Sequence, residues 1–147
     1  MIAALLLAAA TTQAIAPASP VTPLPPLAAP NPAEPPHDWS TLGMLTLPPA
    51  GPDMVRFVRD EVTAGRCTRA RQDDAQMVLV VPLAIRMSAD GNADSVVPLA
   101  IGCPTVEQFS AGAAQRMVRH LAHRTMIPGD RWYRTVITYT WPGTGPG

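Results

Sequence analysis

Apolar and polar positions alternate most clearly in the second half of the chain. Residues 76–87 form a β-branched and apolar run whose alternate side chains would share one face of a strand. Asp90 and Gly91 follow this run, and such a pair is typical of a tight hairpin turn. The return strand is expected over residues 93–101. The pattern therefore predicts an antiparallel β-hairpin.

Each strand of this hairpin contains one proline, Pro82 in the first and Pro98 in the second. A proline has no backbone N–H and cannot donate to a ladder of inter-strand hydrogen bonds. Each of the two is therefore expected at a strand end, at a sheet edge or at a bulge.

A first amphipathic helix is predicted over residues 53–64, because apolar side chains recur there at helical spacing. Asp53 supplies a cap and Gly65 follows the last turn. The apolar stripe of this helix comprises Met54, Phe57, Val58 and Val62.

A second, longer helix is predicted over residues 105–124, where Thr105 and Gln108 have the spacing of a capping box. Its apolar stripe comprises Val106, Phe109, Ala113, Met117 and Leu121. Its opposite side carries Arg116, Arg119, His123 and Arg124.

Residues 131–141 show the clearest strand pattern of the protein. One face would carry Tyr133, Ile137, Tyr139 and Trp141. The other face would carry Trp132, Arg134, Val136, Thr138 and Thr140. A mixed, partly polar outer face fits a sheet that helices cover on one side only. The predicted fold is α+β: a three-stranded antiparallel sheet in β-β-α-β order, backed by one long helix, with a short helix in front.

The segment before this domain, residues 17–52, is rich in proline, with twelve among its 36 residues. Proline prevents helix and sheet from propagating, so this segment is predicted to be an extended, largely polyproline II linker. The apolar patch from Trp39 to Leu47 interrupts it and is a candidate to fold back on the domain that follows, residues 53–147.

Residues 1–16 begin with a short apolar run that is interrupted too early for a membrane-spanning helix, which needs about 20 apolar residues. The run fits the core of a signal peptide, and Ala14 and Ala16 match the cleavage pattern. The protein is therefore expected in the periplasm or outside the cell. The alternative is a retained leader that anchors the chain in the inner membrane.

The chain has two cysteines, Cys67 and Cys103. In an exported protein an even number of cysteines indicates a disulfide, and the loop that this one would close predicts roughly 4 kcal/mol of stabilisation. Two unpaired, buried thiols are the alternative. No metal site is expected from this pair, since zinc normally takes four ligands at closer spacing.

The residue types that carry chemistry do not form a recognisable catalytic set. His120 and His123 could share a helix face, but no carboxylate completes a metal-binding pattern, and solvated surface histidines are the preferred interpretation. Ser88, Ser95 and Ser110 lack the context of a nucleophile. The formal net charge is zero, so no basic face for nucleic acid is indicated. The chain is therefore expected not to be an enzyme and to need no cofactor.

Taken together, the hairpin closed by Asp90 and Gly91, the helix of alanine and arginine, the break at Pro128 and Gly129 and the last strand resemble the C-terminal domain of the TonB energy-transducer family. The proline-rich segment in front of the domain is also similar to that family. The resemblance covers residues 76–141. It implies a β-β-α-β domain that adds a strand to a peptide from an outer-membrane transporter.

The resulting hypothesis is a non-enzymatic envelope module that binds a protein or peptide at a sheet edge, linked to outer-membrane transport. Contact with the membrane is expected only if the leader is retained. Partner contacts are expected from the last strand, at Arg131, Tyr133, Arg134, Val136, Thr138, Tyr139 and Trp141. The alternative is a disulfide-stabilised exported domain with a structural or inhibitory role and no part in transport.

Overall fold

The computed structural model describes residues 34–122 and 127–143, except for the side chain of Ala122. The leader, most of the proline-rich linker, His123 and Arg124 lie outside the described residues. The strands are β1 (Gly43–Met44), β2 (Arg71–Asp73), β3 (Gln76–Met87), β4 (Ala93–Pro98) and β5 (Arg131–Pro142). The helices are α1 (Pro52–Thr63) and α2 (Pro104–Ala122), and a short 3-10 turn spans Trp39–Thr41.

The five strands form one mixed sheet in which β3 is central. β5 pairs antiparallel with β3 along its whole length, from Gln76 opposite Pro142 to Met87 opposite Arg131. On the other side of β3, β2 pairs with one end and β4 with the other. β1 adds a short parallel pairing to the outer side of β5. The class is α+β, as predicted.

The prediction of a three-stranded sheet was incomplete. The three predicted strands are present and pair antiparallel, but β1 and β2 extend the sheet to five strands. β1 has two residues and β2 has three, and segments of that length are too short to show an alternating pattern. Their pairing depends on the longer neighbouring strands.

The two prolines of the hairpin lie where a missing donor costs least. Pro98 is the last residue of β4. Pro82 lies inside β3, at a position that β2 does not reach. Its carbonyl accepts a hydrogen bond from the Leu99 amide at 2.9 Å, and no donor is required from Pro82 there. Both positions agree with the expectation of a strand end or a local edge.

The core lies between one face of the sheet and α2. The side chains of Leu79, Val81, Leu83, Ile85 and Met87 in β3 are almost entirely buried, as are those of Ile137 and Tyr139 in β5. Because alternate residues of a strand point to opposite faces, this is the face that the sequence pattern predicted to be apolar. The other face, called here the open face, has no helix packed along it in the described part of the chain.

α2 turns a slightly different face to the sheet than its apolar residues predicted. Its most deeply buried line is Val106, Ser110, Ala114 and Val118, whereas Phe109, Met117 and Leu121 are only half-buried. Small side chains let the helix approach the sheet closely, so burial follows size as well as hydrophobicity. Arg116 and Arg119 are exposed, as expected.

The start of α2 is also fixed differently from the prediction. The helix begins at Pro104, and the buried Glu107 accepts hydrogen bonds from the backbone N–H groups of Ile101 and Cys103, at 2.8 and 2.9 Å. Glu107, and not the predicted pair Thr105 and Gln108, therefore satisfies the backbone donors before the first turn.

A disulfide joins Cys67, just after α1, to Cys103, just before α2, with the two Cα atoms 4.9 Å apart. Both cysteines are buried, at 2% and 1% exposure. The predicted bond is therefore confirmed. Disulfides persist in oxidising compartments, so this bond indicates a location outside the cytoplasm.

The end of the proline-rich segment, from Glu34 to Gly51, lies against the domain. Leu45 is buried in the core, and Gly43 faces the ring of Tyr133 so closely that an added Cβ would lie 3.4 Å from it. Near Leu99 the chain contributes Pro35, Pro36, His37 and Trp39 to a shared depression. This segment thus covers one end of the sheet.

Candidate functional site

The outer edge of β5 is only partly paired. The Leu45 amide donates to the Arg134 carbonyl at 2.9 Å, so the backbone groups of Arg134 face outward, away from β3. Because this direction alternates along a strand, the N–H and C=O groups of Val136, Thr138 and Thr140 face outward as well. Among the described residues these groups have no hydrogen-bond partner. Within the described part of the chain, the second half of β5 is therefore an unpaired sheet edge.

The side chains of the three residues along this edge are exposed. Val136 is 47% exposed, and Thr138 and Thr140 are exposed as well. At the end of the strand a depression of about 470 Å³ lies between β5 and α1. It is lined by Ala50, Pro52, Val55, Arg56, Arg59, Thr140, Trp141 and Pro142. An extended segment placed along the edge would thus have apolar and cationic side chains next to it.

The seven residues predicted to contact a partner fall into two groups. The side chains of Tyr133, Tyr139 and Trp141 point into the core and are 9%, 0% and 7% exposed, so they cannot touch a partner while the domain is folded. Tyr139 bonds to Ser110 of α2, Trp141 lies beside Val55 of α1, and Tyr133 faces Gly43. Arg131, Val136 and Thr138 are exposed, and Arg134 is half-buried on the open face.

Arg134 has an unusual environment for a charged side chain. Its Nε is buried and has no hydrogen-bond partner. Asp38, in the segment that folds back on the sheet, accepts a hydrogen bond from the Ser40 amide at 2.8 Å. Hydrogen bonding from Ser40, by its side chain first and by its amide second, holds the pKa of Asp38 below its ordinary value, and the charge of Arg134 acts in the same direction. The folded-back segment therefore brings a carboxylate towards this arginine.

A second unpaired stretch lies on the other side of β3. Along β3, the pairing with β2 ends at Val78 and the pairing with β4 starts at Leu83, opposite the last residue of β4, so the backbone groups of Val80 on this side face a gap between β2 and β4. A depression of about 160 Å³ occupies this gap. It is lined by Arg69, Arg71, Val78, Leu79, Val80 and Ile101. The sequence did not predict this gap, because β2 was not predicted.

The residues considered for catalysis or metal binding are dispersed. Ser110 is buried against Tyr139, and His37 and His120 are exposed on different parts of the fold. Among residues 34–122 and 127–143, no three His, Cys, Asp or Glu side chains are grouped so that they could hold a metal ion. Nor does a helix in these ranges combine the length and apolarity needed to cross a bilayer.

Comparison of the chain with protein-family models, with curated proteins and with solved structures finds no match. The geometry of the domain is therefore the basis on which its function is inferred.

Proposed function

We propose that this protein is a non-enzymatic envelope module that binds an extended peptide or protein segment along the outer edge of β5, in the manner of a TonB C-terminal domain. The observation that carries the proposal is the row of outward backbone groups at Val136, Thr138 and Thr140. An added strand would pair with these groups, so that backbone hydrogen bonds supply affinity.

The pairing of β1 supports this use of the edge. A two-residue strand from the linker already pairs with β5 in parallel, at Tyr133 and Arg134. The edge therefore accepts an extended segment from outside the central sheet. A partner strand would continue the same row beyond Leu45, next to the depression at α1.

The location supports the proposal as well. The disulfide is evidence for an oxidising compartment, and in the periplasm an exposed segment of a transporter would be a suitable partner. A role in outer-membrane transport is the specific form of the proposal. A disulfide-stabilised exported domain with an inhibitory role would use the same edge against a different protein.

The test compares the variants Thr138→Pro and Thr138→Val in the full chain, each immobilised and exposed to an extract of the cell envelope. The amide of Thr138 faces outward and makes no internal bond, so proline removes one donor for the partner and should leave the fold intact. Valine changes the side chain but keeps the amide. We expect Thr138→Pro to lose the captured protein and Thr138→Val to retain it.

Equal capture by both variants, with the circular dichroism of the folded domain unchanged, would show that strand addition at β5 is not the mode of binding. Identification of the captured protein then decides between a transporter and another envelope protein.

A further inference from the structure

The open face of the sheet carries an apolar row that crosses three strands. Pro82 lies directly opposite Val136, and the Leu99 amide bonds to the Pro82 carbonyl, so these three residues are neighbours. Met44 lies beside them, since it pairs with Arg134. Leu99, Val136 and Met44 are 48%, 47% and 58% exposed. They are the large apolar side chains most exposed in the described part of the chain, and all belong to one surface.

Arginines lie on both sides of this row, displaced from it along the strand direction. Arg134 and Arg86 lie on the side of the row near the β3–β4 turn, where Arg86 is opposite Trp132. Arg69 and Arg71 lie on the other side, next to Val78 and Val80. Arg134 and Thr140, the residue of β5 level with Arg71, are six residues apart, which corresponds to roughly 20 Å along a strand. Along the strand direction, the surface thus has an apolar centre between two cationic ends.

Within residues 34–122 and 127–143, these four arginines form no ion pair. The ion pairs among the described residues join Arg56 to Asp53, Arg59 to Asp60 and Arg66 to Glu61. On the open face, Asp38 feels the charge of Arg134, and Asp73 lies at the far end of β2. Neither aspartate forms an ion pair with these arginines within the described part of the chain.

We infer that the open face is an interaction surface for an acidic segment of a partner protein, with apolar side chains at its centre and carboxylates at both ends. Contiguous exposed apolar side chains mark interaction sites, and clustered cations select partners of opposite charge. This inference goes beyond strand addition, because it concerns the face of the sheet around Leu99 and Arg71 and not the backbone edge of β5.

The test uses a fluorescently labelled synthetic peptide with two aspartates at each end of a five-residue centre of leucine, valine and glycine. A second peptide carries lysines in place of the aspartates. Binding of both to the full chain is measured by fluorescence anisotropy at low and at high salt. We expect saturable binding of the acidic peptide, weakened by salt, and binding of the lysine peptide at least about tenfold weaker.

Variants locate the site. The double variant Arg69→Gln and Arg71→Gln, and the variant Leu99→Ser, change exposed side chains away from the β5 edge. Each variant should weaken binding of the acidic peptide. The double arginine variant should lower the affinity by about tenfold. The matched control is Arg116→Gln, which changes an exposed arginine on α2. This variant should bind the acidic peptide with the affinity of the original chain.

Three results would overturn the inference: no saturable binding of the acidic peptide, equal binding of the two peptides, or unchanged affinity in the double arginine variant. Self-association of the chain that depends on Leu99 would also overturn it, because the occupant would then be a second copy. Leu99→Ser changes a side chain away from the β5 edge and should leave capture of an envelope protein at that edge unchanged. That variant therefore separates failure here from failure of strand addition.

Discussion

The side-chain hydroxyl oxygens of Ser110 and Tyr139 lie 2.8 Å apart in the core and join the middle of α2 to β5. Both residues are fully buried. Burial raises the pKa of Tyr139, and the hydrogen bond with Ser110 acts in the opposite direction. Neither group has access to water, so each depends on the other to satisfy its hydrogen-bonding capacity.

Replacement of Ser110 by alanine should therefore leave the Tyr139 hydroxyl buried without a partner and lower the free energy of unfolding by about 1–3 kcal/mol. Urea unfolding measures this loss. The control is the double variant Ser110→Ala with Tyr139→Phe, which removes both polar groups and should be more stable than the sum of the two single changes predicts. Additive losses would mean that the two hydroxyls do not interact.

The disulfide should supply a large part of the stability of the domain. Cys67 and Cys103 are separated by 36 residues in sequence, and closing a loop of that length stabilises a protein by roughly 4 kcal/mol in the chain-entropy account. The double variant Cys67→Ala and Cys103→Ala should lose stability of that order in urea unfolding. A loss below about 1 kcal/mol would show that the bond is not what holds α1 to the start of α2.

The ion pair between Glu61 and Arg66 predicts a dependence of stability on pH. The carboxylate of Glu61 is buried and accepts two hydrogen bonds from Arg66, at 2.6 and 2.9 Å. These bonds hold the pKa of Glu61 below its ordinary value, against the effect of burial. Since the folded-state pKa is lowered, the stabilisation is present above the ordinary pKa that Glu61 has in the unfolded chain, and it is lost as the pH falls through the folded-state pKa.

Thermal unfolding measured from pH 7 down to pH 3 checks this dependence. The melting temperature of the original chain should fall with acidification by more than that of a Glu61→Gln variant, in which no proton can be taken up at this position. The same fall in both chains would assign the acid sensitivity to other carboxylates.

The long elements could be predicted from the sequence because their periodicity continues over many residues. β3 and β5 lie where their apolar alternation placed them, and α1 and α2 differ from the predicted ranges by one or two residues within the described part of the chain. The buried face of α2 was misjudged, because Ser110 and Ala114 are small and contribute little to an apolar pattern. These two residues are buried because the sheet lies close to the helix there. The sequence pattern of the helix alone does not show how close the sheet lies.

The candidate binding edge could be predicted only in outline. The sequence indicates a terminal strand with a free edge, but not which amides face outward or how far β1 covers it. Aromatic side chains of β5 were expected at the partner surface, yet Tyr139 and Trp141 are needed in the core. The exposed row from Leu99 to Val136 joins residues from separate strands, so it exists only once the register is fixed.

The contact between the two helices offers a last prediction. The rings of Phe57 in α1 and Phe109 in α2 stack with their centroids 4.1 Å apart and an interplanar angle of 27°. Both rings are half-buried, so Phe109→Ala should cost less than the roughly 3–5 kcal/mol of a fully buried phenylalanine. A double-mutant cycle with Phe57→Ala should give a coupling of about 0.5–1.5 kcal/mol from urea unfolding. A coupling of zero would mean that the disulfide and β5, and not this pair of rings, position α1.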